Sequence, residues 1–328
     1  MGNFFTLISL ENTKLWKRLS TKVMLIIMIV IVIAATSIYK YHKVSHNSST
    51  TTKISENWKQ DLLVNLPAKK AALTQIEKTD KTSAFIGNMK KSIAEDEYSI
   101  VNNIRPESKD SIWTRITKFD SYVPYSLIIA LLLIIACSAL VAGEFSEGTM
   151  KMMISRPYKR FEILTAKLIV TLFYGLVLLV TAFLLNFILL GIYFGFNGMG
   201  AKEMMWTSTK IIYIPAVLKT IIIYGLNFLT VLVYVLVAFA LSIISRSRSI
   251  ATGCSLFLLL AGSYMVQIFS SYFIWGKYLP FGLSDFTNFI VNGSFVVGTT
   301  LAFAIGVSAI YSVIFCAAGY LVFEKRDI

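Results

Sequence analysis

The chain has 328 residues, of which 56% are hydrophobic and 15% charged, and its formal net charge is +13. A mean hydropathy of +0.68 excludes a soluble domain of this length, which could not hide so much apolar surface; part of the solvent must be lipid. Nor does the basic excess point to nucleic acid, because no basic stripe interleaved with aromatics occurs outside the apolar runs, and attraction to anionic lipid accounts for it.

Residues 1–22 open with FFTLISLENTKLWKRL, where Phe4, Leu7, Ile8, Leu15 and Trp16 recur near helical spacing and Lys14, Lys17 and Arg18 follow. That pattern predicts a helix lying in the headgroup layer. Six apolar runs follow, at 23–39, 123–142, 168–194, 221–244, 250–274 and 296–323. Each is near or above the ~17–25 residues that a spanning helix needs. A cleaved leader fits the first run poorly, since its polar lead is long and Ala34-Ala35-Thr36 is a weak cleavage site. The expected fold class is therefore an all-α polytopic membrane protein with six transmembrane helices.

With the N-terminus inside, the cytoplasmic pieces 1–22, 143–167, 245–249 and 324–328 carry thirteen Lys and Arg. The short outer loops 195–220 and 275–295 carry only Lys202, Lys210, Lys219 and Lys277. This asymmetry predicts a multi-pass protein of a cell membrane with both termini cytoplasmic. A Lys-, Ile- and Asn-rich composition suggests a bacterial source.

Residues 40–122 are the one piece large enough for an extracellular domain. After the polar linker SHNSSTTT come Ile54, Trp58 and Leu62, then Ala68, Ala72 and Ile76 beyond Pro67. Phe85, Met89 and Ile93, then Ile100, Val101 and Ile104, repeat the pattern. Two amphipathic helices with a polar turn near residues 80–83 would bury these stripes against each other. His42 and His46 lack a nearby carboxylate or thiolate, so no metal site is expected. Cys137, Cys254 and Cys316 fall in apolar runs and read as small buried residues. Near Pro280, the aromatics Tyr272, Phe273, Trp275, Tyr278 and Phe281 fit an interfacial belt. Asp285 and Asn288 then call for a short re-entrant or surface helix.

Between the second and third runs lies GEFSEGTMKMMISRPYKRFEILTAK, with five basic and three acidic residues. Burying each such base at mid-bilayer would cost about 2.5–3.5 kcal/mol, so the segment must lie in water. Gly143 and Gly148 loosen the exit of the second run. A short helix over 149–154 would present Met150, Met152 and Met153, and Arg156-Pro157 would end it. Glu162 suits the first turn of the next helix and Lys167 would anchor at the headgroups.

The pattern Gly143-Glu144, Glu147-Gly148-Thr149, Ser155-Arg156-Pro157, Arg160, Glu162-Ile163-Leu164 and Lys167 resembles the signature of permease subunits of the type-2 ATP-binding-cassette exporters. Ser245-Arg246-Ser247-Arg248-Ser249 and the ending Phe323-Glu324-Lys325-Arg326-Asp327-Ile328 extend the likeness. It departs at Lys159, where the family often has a small polar residue able to cap the next helix. The resemblance implies a coupling element, made of Glu144, Glu147, Gly148, Thr149, Ser155, Arg156, Pro157, Arg160 and Lys167 with Arg246 and Arg248, that docks on a separate ATPase. It also implies a second permease copy or sister subunit and export of an amphipathic compound such as an antimicrobial peptide, drug or lipid. No G-x-x-x-x-G-K-[ST] loop occurs in the chain, so ATP and Mg would be bound by the partner and this chain would be no enzyme and need no cofactor of its own. The substrate path is less legible; Asn186, Asn227 and Gln267 are amides in apolar runs, suited either to substrate contact or to helix–helix hydrogen bonds. The alternative is a membrane-anchored peptide sensor or bacteriocin-immunity protein that moves nothing.

Overall fold

The computed structural model describes residues 4–46, 57–79, 85–104, 111–150, 158–279, 281–294, 296 and 298–325. Among these, eleven α-helices and one β-hairpin are seen. The helices are α1 (Phe4–Lys17), α2 (Leu19–His46), α3 (Trp58–Thr79), α4 (Phe85–Asn102), α5 (Ile112–Tyr122), α6 (Tyr125–Ser146), α7 (Arg160–Phe194), α8 (Ala216–Ser245), α9 (Arg248–Tyr272), α10 (Phe286–Val291) and α11 (Leu301–Lys325). Helices α2, α6, α7, α8, α9 and α11 are long and apolar enough to cross a membrane. The molecule is thus mostly helical, with the architecture of a polytopic membrane protein.

The six long helices alternate in direction, so α1, the α6–α7 and α8–α9 connections and the end of α11 share one end of the bundle. We call this end the base and the other the crown. Helices α6 and α8 form the centre: their mutual contact is the most extensive, and α9 and α11 pack against α8. Small residues allow that closeness. Ala136, Ala139 and Ala142 on α6 and Ala238 and Ala240 on α8 are buried, and Gly319 of α11 sits against the Ala240 backbone, as close helix packing in lipid requires. Phe257, Leu260, Tyr264 and Ile268 of α9 and Ile310, Val313 and Ile314 of α11 are exposed, as side chains facing hydrocarbon would be.

At the crown, α3 and α4 pair as a hairpin, tied by Lys69–Asp96 at 2.5 Å, Lys70–Glu97 at 2.6 Å and Lys90–Glu77 at 2.8 Å. The expected stripe needs correction: Ile86 and Ile93 are buried, whereas Phe85 and Val101 are exposed. Pro67 does not divide the first helix, which runs through it. Residues 80–83 and Ile54 lie outside the described residues. Gly87 is what lets α4 dock on the chain before α11, because a Cβ there would overlap the Ser294 carbonyl. Lys91 Nζ donates to the Val291 carbonyl beside it.

Two crown elements have no counterpart in the sequence reading. Helix α5 starts at Ser111, whose Oγ accepts from Trp113 N at 3.2 Å, and Pro124 separates it from α6 because proline lacks the N–H needed to continue a helix. Strands β1 (Lys202–Trp206) and β2 (Ile211–Pro215) pair antiparallel, Lys202 opposite Pro215 and Trp206 opposite Ile211. The run Ile211-Ile212-Tyr213-Ile214 is β-branched and aromatic, a strand signal hidden by its closeness to the apolar run of α8. The short helix expected near Asp285 is α10, with Phe286, Phe289 and Ile290 buried. Phe281 departs from the expected belt, for it is buried while Tyr272, Phe273, Trp275 and Tyr278 are exposed. Of the cysteines only Cys137 is buried; Cys254 is exposed and Cys316 half-buried.

Candidate functional site

Helix α1 carries Leu7, Glu11 and Leu15 at four-residue spacing, so all three lie on one face, and all three are buried where α1 packs on α7. Two turns into α7, Lys167 projects into the same place. Its Nζ lies 2.8 Å from Glu11 Oε2 and 2.7 Å from Glu144 Oε2 at the end of α6. Lys14 closes the group from the rim, 2.8 Å from Glu11 Oε1 and 3.6 Å from Glu144 Oε1. Two carboxylates and two ammonium groups thus form a neutral tetrad joining α1, α6 and α7. Burial alone would raise the Glu11 pKa, yet Lys167 and Lys14 together hold it below the usual carboxylate value.

This arrangement corrects two expectations. Lys167 is not a headgroup anchor: it is fully buried, because two carboxylates reach it and the segment before it is helical from Arg160 onward. Glu144 does not face water either; only 4% of it is exposed, since its carboxylate is committed to Lys167. Glu11 and Lys14 escaped the sequence reading as site residues. The available signal was an acid placed midway along the apolar stripe of an amphipathic helix, where a leucine would be ordinary.

The water-accessible part of the signature is therefore narrower. Ser146 at the end of α6 and the turn Glu147–Thr149 after it are exposed, and Gly148 in that turn adopts φ +69° with open space where a Cβ would be. Thr149 Oγ1 donates to the Glu144 carbonyl at 3.3 Å, tying turn to tetrad. Met150 turns inward with Leu7, Val141, Ile163 and Phe323 rather than lying on an outward face. Ser155, Arg156, Pro157, Met152 and Met153 lie outside the described residues. Lys159 precedes α7, and since lysine has no acceptor, Glu162 Oε2 reaches back to accept from Lys159 N at 3.0 Å, half of a capping box. Arg160 Nη1 donates to the Glu324 carbonyl at 3.4 Å, Arg246 lies over the Phe145 ring at 5.5 Å, and Phe145 meets Phe323 edge-on. Arg248 is exposed beside them. The base thus brings Glu147, Gly148, Thr149, Arg160, Arg246 and Arg248 to one end of the bundle, around a sealed ionic core.

The span amides lie deeper. Asn186 accepts from the Tyr125 hydroxyl at 2.9 Å and its amide nitrogen is 3.5 Å from the Tyr224 oxygen, so it links α6, α7 and α8 with no exposure. Asn227 donates to Asp120 Oδ2 at 2.9 Å, linking α8 to α5. Gln267 is half-buried on α9, where its backbone carbonyl accepts from Ser270 Oγ. Lys219 pairs with Glu203 at 2.9 Å, and Thr114 Oγ1 donates to the same carboxylate, so this crown base is a structural tie between β1, α5 and α8. Among the described residues no group of three His, Cys, Asp or Glu side chains is placed to hold a metal ion.

Comparison with known proteins gives the family. A family model described as "Protein of unknown function (DUF2705)" matches residues 71–328. An "Uncharacterized protein YhcI" of Bacillus subtilis (strain 168) is 31% identical over 284 residues, covering 86% of this chain and 88% of that one. An "Uncharacterized membrane protein YdbK" of the same organism is 27% identical over 212 residues, covering 63% of this chain and 81% of that one. Homology and six long apolar helices agree: this chain is a multi-pass membrane protein and belongs to the DUF2705 family.

Proposed function

We propose that the chain is the membrane subunit of an ATP-driven exporter, with the base on the cytoplasmic side and a separate ATPase docked beneath it. The supporting observation is the tetrad: it fastens the signature turn at Glu147–Thr149 to α1, α6 and α7 at once. A push on that turn would reach two spanning helices and the N-terminal helix as one body. ATP and Mg would belong to the ATPase, and a second permease copy or sister subunit would complete the translocation path. The chemistry of the cargo would be amphipathic.

Docking falls on the exposed residues and not on Glu144. In membranes that also contain a candidate partner ATPase, Glu147→Lys combined with Arg248→Glu should abolish stimulation of ATP hydrolysis while insertion and abundance stay normal. Stimulation at the wild-type level would remove the docking role of the turn. Purification of the chain with no ATPase at all would favour a peptide-binding membrane anchor instead.

A further inference from the structure

We propose that Asp120 and Asn227 form a buried proton-binding site, in which Oδ1 of a protonated Asp120 donates to Oδ1 of Asn227 and locks α5 to α8. Asp120 and Asn227 are 5% and 1% exposed. One hydrogen bond is already made, from Asn227 Nδ2 to Asp120 Oδ2 at 2.9 Å. The two remaining oxygens, Oδ1 of Asp120 and Oδ1 of Asn227, are buried without a hydrogen-bond partner. If Asp120 were charged, both would be acceptors only, and a buried acceptor left unsatisfied is costly. One proton, taken from water, turns Asp120 Oδ1 into a donor and satisfies both atoms, giving the doubly bonded pair that a carboxylic acid and a primary amide make.

The neighbours decide which acid keeps its charge. Asp285, at the start of α10, is half-buried, and burial raises its pKa. It accepts from Thr287 Oγ1 at 2.8 Å and from Asn288 Nδ2 at 3.1 Å, bonds that offset part of that rise in favour of the carboxylate. Asp120 has only the one amide. The groups facing it are Tyr125 of α6, Tyr224 of α8 and the Asp285 carboxylate, none of them a cation. Tyr234 of α8 faces Asp285 rather than Asp120. Arg115 on the same helix turns to the Phe194 and Gly195 carbonyls, and Lys118 is exposed. Burial first, and repulsion from Asp285 after it, push the Asp120 pKa up to about 7 despite the bond from Asn227. The proton is therefore bound and released near neutral pH.

The sign follows from linkage. A carboxyl that is 3.8 in its ordinary state and about 7 when folded binds more protons in the folded protein, so its contribution is complete at acid pH and is lost as pH rises through about 7. The test uses the full chain in lipid nanodiscs, with pH-difference infrared spectra read for the carbonyl stretch of a protonated carboxylic acid. Wild type should show a band that disappears between about pH 5 and about pH 8; Asp120→Asn should lose it, and its melting temperature should no longer fall over that range. Asp285→Asn should keep the band and move its midpoint to lower pH, which reads the site even if Asp120→Asn fails to fold. A band unaffected by Asp120→Asn, an unmoved midpoint in Asp285→Asn, or no acid-form band in wild type would overturn the proposal. So would a sodium- or potassium-dependent rise in melting temperature at alkaline pH that Asp120→Asn removes, for the oxygens would then hold a metal ion instead.

Discussion

Glu144 at the base and Asp120 at the crown are carboxylates buried almost equally, with 4% and 5% of their surface exposed, yet they settle their charge in opposite ways. Glu144 meets the Lys167 ammonium at 2.7 Å, while Asp120 meets an amide and, nearby, a second acid. Burial raises the cost of charge at both places; only the base supplies a countercharge. The consequence is a difference in pH response. Glu11 is held below its usual pKa, so its stabilising contribution is present above the unfolded value and fades as pH drops below it. Asp120 works the other way, secure in acid and weakened toward alkaline pH.

The largest way to break this contrast is Lys167→Met, which leaves Glu11 and Glu144 buried with only the rim Lys14. Loss of one member of such a group costs about 3–5 kcal/mol, read as a fall in melting temperature in detergent or nanodiscs. Adding Glu11→Gln and Glu144→Gln to it should restore most of the loss, because a neutral core no longer carries unpaired charge. Failure of that rescue would mean that Lys167 acts by packing. Next comes Asn227→Leu, which deprives Asp120 of its hydrogen bond. A cost of about 1–3 kcal/mol is expected, larger at acid pH, where the doubly bonded pair is complete, than at alkaline pH, and equal losses at both would remove the distinction between the ends. The smallest effect is Lys14→Ala. Its side chain is 39% exposed, so denaturation should shift by about 0–1 kcal/mol, less in high salt.

How far the sequence reached differs between the two ends as well. The six long helices were legible because an unbroken apolar run has one common use at that length. The signature turn was legible because charge between apolar runs has to find water. What stayed hidden depended on distance along the chain. Glu11 and Lys167 are 156 residues apart, and nothing local at Lys167 tells a buried tetrad from a headgroup anchor. Asp120 sits in the mixed segment SIWTRITKFDSY, whose interspersed charges give no sign of burial until α5 folds and turns Ile112, Ile116 and Phe119 inward. The β-hairpin was missed for a related reason: both strands fall in the stretch 195–220 that reads as a short outer loop, and the pairing of Lys202–Trp206 with Ile211–Pro215 shows only in the fold.

Gly87 gives the crown a mechanical property. With Gly293 in the left-handed region and pressed against the Gly87 carbonyl, the two backbones touch with no side chain between them to absorb a displacement. Force applied to the α3–α4 arm would therefore pass directly into the backbone at Gly293 and Ser294, with no side chain to yield first.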